Sequence, residues 1–202
     1  MPEEDRSLVW KCGCGKTKLK LKGEPFLVAN CCCHSCVAAA RFLDEKHSSV
    51  KDHTSGLIDG LAPFSFFKPN QVELDTELSP ELFGCVKVGP KGKPQRQYVK
   101  CCGTQFGSAM SACWGLNRNA VFEQDGETKF VPAATPVNIM KKYAFNPDDI
   151  PEPSSNMMPF GDMFKVMSIM MNPFGPSVDK AVLQKVTADP TSAEEVPVTW
   201  EQ

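Results

Sequence analysis

The stretch Phe26-Leu-Val-Ala-Asn-Cys31-Cys32-Cys33-His34-Ser35-Cys36-Val37-Ala-Ala-Ala-Arg-Phe-Leu43 decides most of the reading. Its first four residues are apolar and follow the breaker Gly23-Glu24-Pro25, so they read as a short strand. Val37 to Leu43 is Ala-rich and free of Gly and Pro, which predicts a helix. Between strand and helix lies Cys31-x-Cys33-x-x-Cys36, three thiols offered from one loop. Cys36 falls at the helix start, where the dipole and free N–H groups favour a thiolate. Three thiolates plus an open position make a catalytic type of zinc site, and a fourth ligand from Cys32 or His34 would close it.

On the N-terminal side, Lys16 to Lys22 alternates strictly, with four lysines on one face and Thr17, Leu19 and Leu21 on the other. The lysine face reads as the solvated side of an edge strand. On the C-terminal side, short apolar runs at Ser65–Phe67, Gln71–Leu74, Cys85–Val88, Arg96–Val99 and Ala120–Phe122 are separated by turn signals. Gly89 to Pro94 reads as a hairpin loop. Many short strands with one helix predict a mainly β, antiparallel domain over residues 8–130.

Beyond Val131 the composition changes. Ten of the 17 prolines and seven of the nine methionines lie there, with no Cys or His, so residues 131–202 read as an extension. Within it, Phe160, Met163, Phe164, Met167, Met170 and Met171 recur at helical spacing, predicting a helix over about 159–171 with an apolar stripe. That stripe is a candidate protein-partner surface as well as a packing face. A second short helix is expected over Val178–Val186, and Asn146–Pro153 reads as an extended linker.

Eight of the ten cysteines fall in three clusters: Cys12-Gly13-Cys14, the Cys31–Cys36 loop, and Cys101-Cys102-Gly103. The acidic N-terminus, Met-Pro-Glu-Glu-Asp-Arg6, reads as neither a secretory signal nor a transit peptide, which implies a reducing, cytoplasmic setting. Thiols there bind metal more often than they pair, so two zinc ions are expected, with disulfides or free thiols as the alternative. Cys12, Cys14, Cys101 and Cys102 would meet only through tertiary folding. Cys85 and Cys113 stand alone and read as core residues, His34 as a neighbour of the metal ligands, and His47 and His53 as surface residues. A net charge of -2 calls for no nucleic acid, and no apolar run approaches the ~18 residues of a membrane span. No Ser/His/Asp set, phosphate loop or dinucleotide fingerprint is present.

The order Cys12-x-Cys14-Gly15, Cys31-x-Cys33-x-x-Cys36 and Arg96-x-Tyr98-x-x-x-Cys102-Gly103-Thr104 resembles the glutathione-dependent formaldehyde-activating enzyme family, which includes centromere-protein-V-like proteins. The resemblance covers roughly residues 8 to 125 and is closest to a divergent branch. It implies a zinc-bearing β-tent of antiparallel sheets. It also implies a structural zinc held by Cys12, Cys14 and the late pair Cys101 and Cys102. A second zinc on Cys31, Cys33 and Cys36 would serve carbon–sulfur lyase chemistry on the adduct of glutathione, a small thiol, with formaldehyde, a small aldehyde. The alternative expectation is a zinc-stabilised binding or scaffold module without turnover.

Overall fold

The computed structural model describes residues 6–74, 77–89, 96–109, 113–133, 135–162, 164, 168 and 180–196. The chain is mainly β and forms two sheets. The small sheet holds β1 (Ser7–Lys11), β2 (Lys18–Lys22), β5 (Val72–Leu74) and β10 (Val121–Glu123), in the order β10-β1-β2-β5. The large sheet holds β3 (Leu27–Cys31), β4 (Ala62–Phe67), β6 (Phe83–Val88), β7 (Arg96–Val99), β8 (Gln105–Ala109), β9 (Trp114–Asn117), β11 (Val137–Ile139) and β12 (Glu194–Val196). Its order is β11-β3-β4-β9-β8-β7-β6-β12, and the inner strands pair antiparallel.

The alternation read at Lys16–Lys22 holds: Leu19 and Leu21 are buried while Lys18, Lys20 and Lys22 are exposed. β2 is not an edge, however. It lies between β1 and β5, and Lys22 Nζ sits 3.4 Å from Glu73 on β5. A lysine face fits an interior strand as readily as an edge when its other face alone is covered.

The covered faces of the two sheets meet in one core. Leu8, Trp10, Leu19 and Leu21 pack there against Phe67, Phe83, Phe106, Trp114 and Leu116. The Phe106 ring meets Trp10 and Phe83 edge-on, each with centroids 5.1 Å apart. Each buried Leu or Phe contributes about 1.5–3 kcal/mol. The opposite face of the large sheet carries α1 (His34–Lys46), longer by three residues at each end than the predicted Val37–Leu43. Ala38, Ala39 and Ala40 are fully buried, so α1 approaches the sheet closely and packs with Val86, Tyr98 and Val196.

The compositional change at residue 131 is not a structural boundary. β11 pairs parallel with β3, matching Ile139 to Cys31, and β12 pairs parallel with β6. The short helix Lys180–Val186 lies within the predicted Val178–Val186 and buries Val186 in the inter-sheet core. The tract 146–153 is docked, not free. It makes a single 3-10 turn at Pro147–Asp149, and Asn138 donates from its side chain to Pro151 O and from its backbone to Pro153 O. Residues 160–162, 164 and 168 are helical and Pro159 is not; residues 163, 165–167 and 169–171 of the predicted 159–171 helix, and residues 90–94 of the predicted hairpin loop, lie outside the described residues. Composition missed this integration because Pro-rich segments can still pair as short edge strands. A chain ending at Phe130 loses both outer strands of the large sheet. It is expected to lose its cooperative thermal transition; a sharp transition at the full-length temperature in calorimetry would contradict the assignment.

Candidate metal centres

At the end of β1 the chain turns through Cys12-Gly13-Cys14-Gly15, closed by Gly15 N–H donating to Cys12 O at 2.8 Å. At the end of β7 a second turn presents Cys101 and Cys102, closed by Gly103 N–H donating to Val99 O at 2.8 Å. The four sulfurs converge within 4.8 Å of one another. Cys14 Sγ lies 3.1 Å from Cys101 Sγ, and Cys12 Sγ lies 3.6 Å from Cys14 Sγ and 3.8 Å from Cys101 Sγ. The adjacent pair Cys101 and Cys102 thus turns both sulfurs to one point, 3.8 Å apart.

Local packing makes this turn possible. A Cβ on Gly13 would stand 1.6 Å from Asp52 O, so only glycine fits. Gly103 has φ +70°, and a Cβ there would strike the His47 ring at 2.1 Å. Thr104 ties the two turns together: its hydroxyl accepts from Gly13 N–H at 3.0 Å and lies 3.1 Å from Cys102 Sγ. His53 bridges Cys102 O and Asp44, both at 2.9 Å, and Asp44 also accepts from Ser55 and from Gly56 N–H. The hydrogen bond to Asp44 raises the His53 pKa. His53 is therefore a largely covered strut rather than the surface residue expected, and the His47 ring packs beside Tyr98.

The second cluster is local in sequence. β3 delivers Cys31; Cys33 is the N-cap of α1, and Cys36 lies in its first turn, its N–H donating to Cys33 O at 3.0 Å. The three sulfurs lie within 4.8 Å of one another, with Cys31 Sγ and Cys33 Sγ 3.3 Å apart. Among the described residues no fourth Cys, His, Asp or Glu joins them. Cys32 turns away, its thiol directed at Asn30 O at 3.7 Å, and its backbone N–H bonds Ile139 O on β11. The His34 ring packs on Phe145, centroids 4.2 Å apart. Cys31, Cys33 and Cys36 belong to one apolar cluster with Ile139, Met140 and Met158, all three from the supposed extension. Arg96 Nη2 donates to Ser35 Oγ at 2.6 Å and lies 3.8 Å from Cys36 Sγ.

All ten cysteines are free thiols, and Cys85 and Cys113 are buried core residues as expected. Two thiolates about 4 Å apart repel by about 4 kcal/mol at an effective dielectric of 20, so the clusters cannot ionise fully without a cation. Each settles around one sulfur. Hydrogen bonding from Cys31 and Cys36 holds Cys33 down at about 2, and hydrogen bonding from Cys12 holds Cys102 at about 3. The neighbours move the other way: burial leads in pushing Cys101 up to about 12, and contacts with Cys102 and Cys33 hold Cys12 and Cys31 far above the ordinary thiol range. Such sets can hold a soft or borderline metal ion, whose charge would replace the shared protons.

The chain matches no protein-family model and no curated protein. No helix among the described residues is long and apolar enough to cross a membrane. The seven cysteines singled out in the sequence are the seven that the fold gathers. What the sequence reading left without a role were the supports: Ser35 and Arg96 at one cluster, and Asp44, His53 and Thr104 at the other. Arg96 and Thr104 fell inside the motif string, which was the only available signal for them.

Supplied with a thiophilic divalent metal, the chain is expected to take up two ions per molecule. Cys33→Ala should take up one and stay folded, whereas Cys102→Ala should lose an ion together with much of its thermal stability. Elemental analysis and calorimetry on the same samples check this, and equal destabilisation by both would contradict the division. Gly103→Ala should cost about 1–3 kcal/mol from backbone strain alone, with the His47 clash added. An unchanged denaturant midpoint would show that loop and ring can yield.

Proposed function

We propose that the protein is a zinc-dependent enzyme of carbon–sulfur bond chemistry, related to the glutathione-dependent formaldehyde-activating family and built on that family's β-tent. Its substrate would be a thiol–aldehyde adduct such as S-hydroxymethylglutathione. The observation that carries the reading is the three-thiol cluster itself. Three sulfurs converge from the end of β3 and the start of α1, and neither residue that would have closed the set joins them: the Cys32 thiol is directed at Asn30 O and the His34 ring packs on Phe145. A bound zinc would let an incoming thiol persist as a thiolate near neutral pH. Cys31, Cys33 and Cys36 would hold the ion and favour sulfur as its further ligand. The thiolate sulfur adds to the aldehyde carbon, the C=O pair moves to oxygen, and solvent supplies the proton; cleavage of the adduct is the reverse. Met140 and Met158 pack in the same apolar cluster as these three cysteines. In this reading Cys12, Cys14, Cys101 and Cys102 hold a second, structural zinc.

The other reading is a zinc-stabilised binding module. Met157, Phe160 and Phe164 are exposed, which supports a partner-facing role for that segment. Turnover separates the two. Exchange NMR of glutathione with formaldehyde should show adduct formation faster than the uncatalysed reaction, and Cys33→Ala should abolish the excess. A rate equal to background, with no thiol-induced change at the zinc X-ray edge, would favour the module.

A further inference from the structure

Arg96 is the feature the proposed chemistry does not use. It sits on β7 opposite Val86 of β6, and like Tyr98 it points to the face that α1 covers. Its Nη2 touches the three-thiol cluster twice, at Cys36 Sγ directly and at Ser35 Oγ. Ser35 Oγ in turn lies 3.6 Å from Cys33 Sγ, so one guanidinium reaches two of the three sulfurs. Among the described residues Arg96 forms no ion pair with a carboxylate, and Nη2 alone of its nitrogens makes a hydrogen bond there. The side chain is half-buried, and among the described residues the remaining N–H groups of its fork donate to nothing.

The charge arithmetic gives this placement a consequence. A divalent ion on three thiolates carries a net charge of about -1, and a fourth thiolate brings it to about -2. An arginine beside the cluster offsets one of those charges and still has paired donors that match a carboxylate. A ligand presenting both a sulfur and a carboxylate a few bonds apart would engage ion and guanidinium together. A ligand with a positive group there would meet repulsion.

We propose that Arg96, held by Ser35, is an anion subsite beside the open position of the Cys31, Cys33 and Cys36 centre, and that it selects small thiols carrying a carboxylate. The inference rests on reading that centre as an open metal site. Binding releases the thiol proton to solvent and forms one metal–sulfur bond, with no change of oxidation state.

The test uses the full chain loaded with cobalt(II), whose sulfur-to-metal charge-transfer absorption reports each added thiolate. 3-Mercaptopropionate, 2-mercaptoethanol and 2-mercaptoethylamine are titrated into the wild type, Arg96→Gln and Arg96→Lys. The preference for mercaptopropionate over mercaptoethanol should fall about tenfold in Arg96→Gln, equivalent to about 1.4 kcal/mol, and return in part in Arg96→Lys. Comparing ratios between proteins cancels the intrinsic basicities of the thiols. Mercaptoethylamine should gain affinity in Arg96→Gln. Added salt should narrow the wild-type preference, which tests the idea even if Arg96→Gln misfolds. Thiols that bind with the same ratios in wild type and variants, or a wild-type preference that salt leaves intact, overturn the anion subsite while leaving the open centre standing. A wild-type spectrum that no thiol alters overturns the open centre itself, and the subsite with it.

Discussion

Sulfur atoms gathered within a few ångströms of one another cannot all be ionised unless something positive sits among them, and this protein gathers them twice. Each cluster resolves the conflict in the same way, with one thiolate and protonated neighbours that donate to it. That arrangement stores a proton inventory that a metal ion would displace, so affinity for metal must rise with pH. The rest of the fold can be read as what holds the sulfurs in place against their mutual repulsion. Turns at the ends of β1 and β7 supply one set, the end of β3 and the first turn of α1 the other; the inter-sheet core holds β1 and β7, and α1 packs on the other face of the large sheet that contains β3.

The supports differ in kind. Around the four-thiol cluster they are polar: the Thr104 hydroxyl, the His53–Asp44 pair and the backbone of two tight turns. Around the three-thiol cluster they are mostly apolar, with Arg96 and Ser35 as the charged and polar exceptions. A polar, hydrogen-bonded frame holds one geometry. An apolar setting with a single arginine beside it suits the charge selection proposed for Arg96.

The sequence showed the cysteine clusters because thiols at short spacing are rare in chains of this length, and it showed β2 because a strict alternation of Lys with Leu has few other meanings. It hid β8 and β9, where Gly107 and Gly115 interrupt any apolar pattern, and it hid β11 and β12, which are three residues each. Strands that short have almost no periodicity of their own; their neighbours β3 and β6 define them. For the same reason the extension looked separate. Among the described residues its contribution is edge pairing and a few buried side chains such as Ile139, Val186 and Val196. His53 was read as exposed because its sequence neighbours are polar, yet its partner Asp44 lies nine residues away on α1.

Sequence separation also divides the two clusters by what metal binding there would accomplish. Cys14 and Cys101 are 87 residues apart, so bringing them together costs the unfolded chain about 4 kcal/mol of loop-closure entropy by the logarithmic rule. A four-thiolate metal site contributes on the order of 10 kcal/mol, enough to cover that closure and still stabilise the sheets it joins. Cys31 at the end of β3 and Cys33 at the N-cap of α1 are two residues apart and need almost no such closure. Metal energy there would not be needed to assemble distant elements and would remain available to orient a further ligand. On this reasoning a metal ion in the distant cluster would staple the fold, whereas the local cluster would gain or lose a ligand without unfolding the protein.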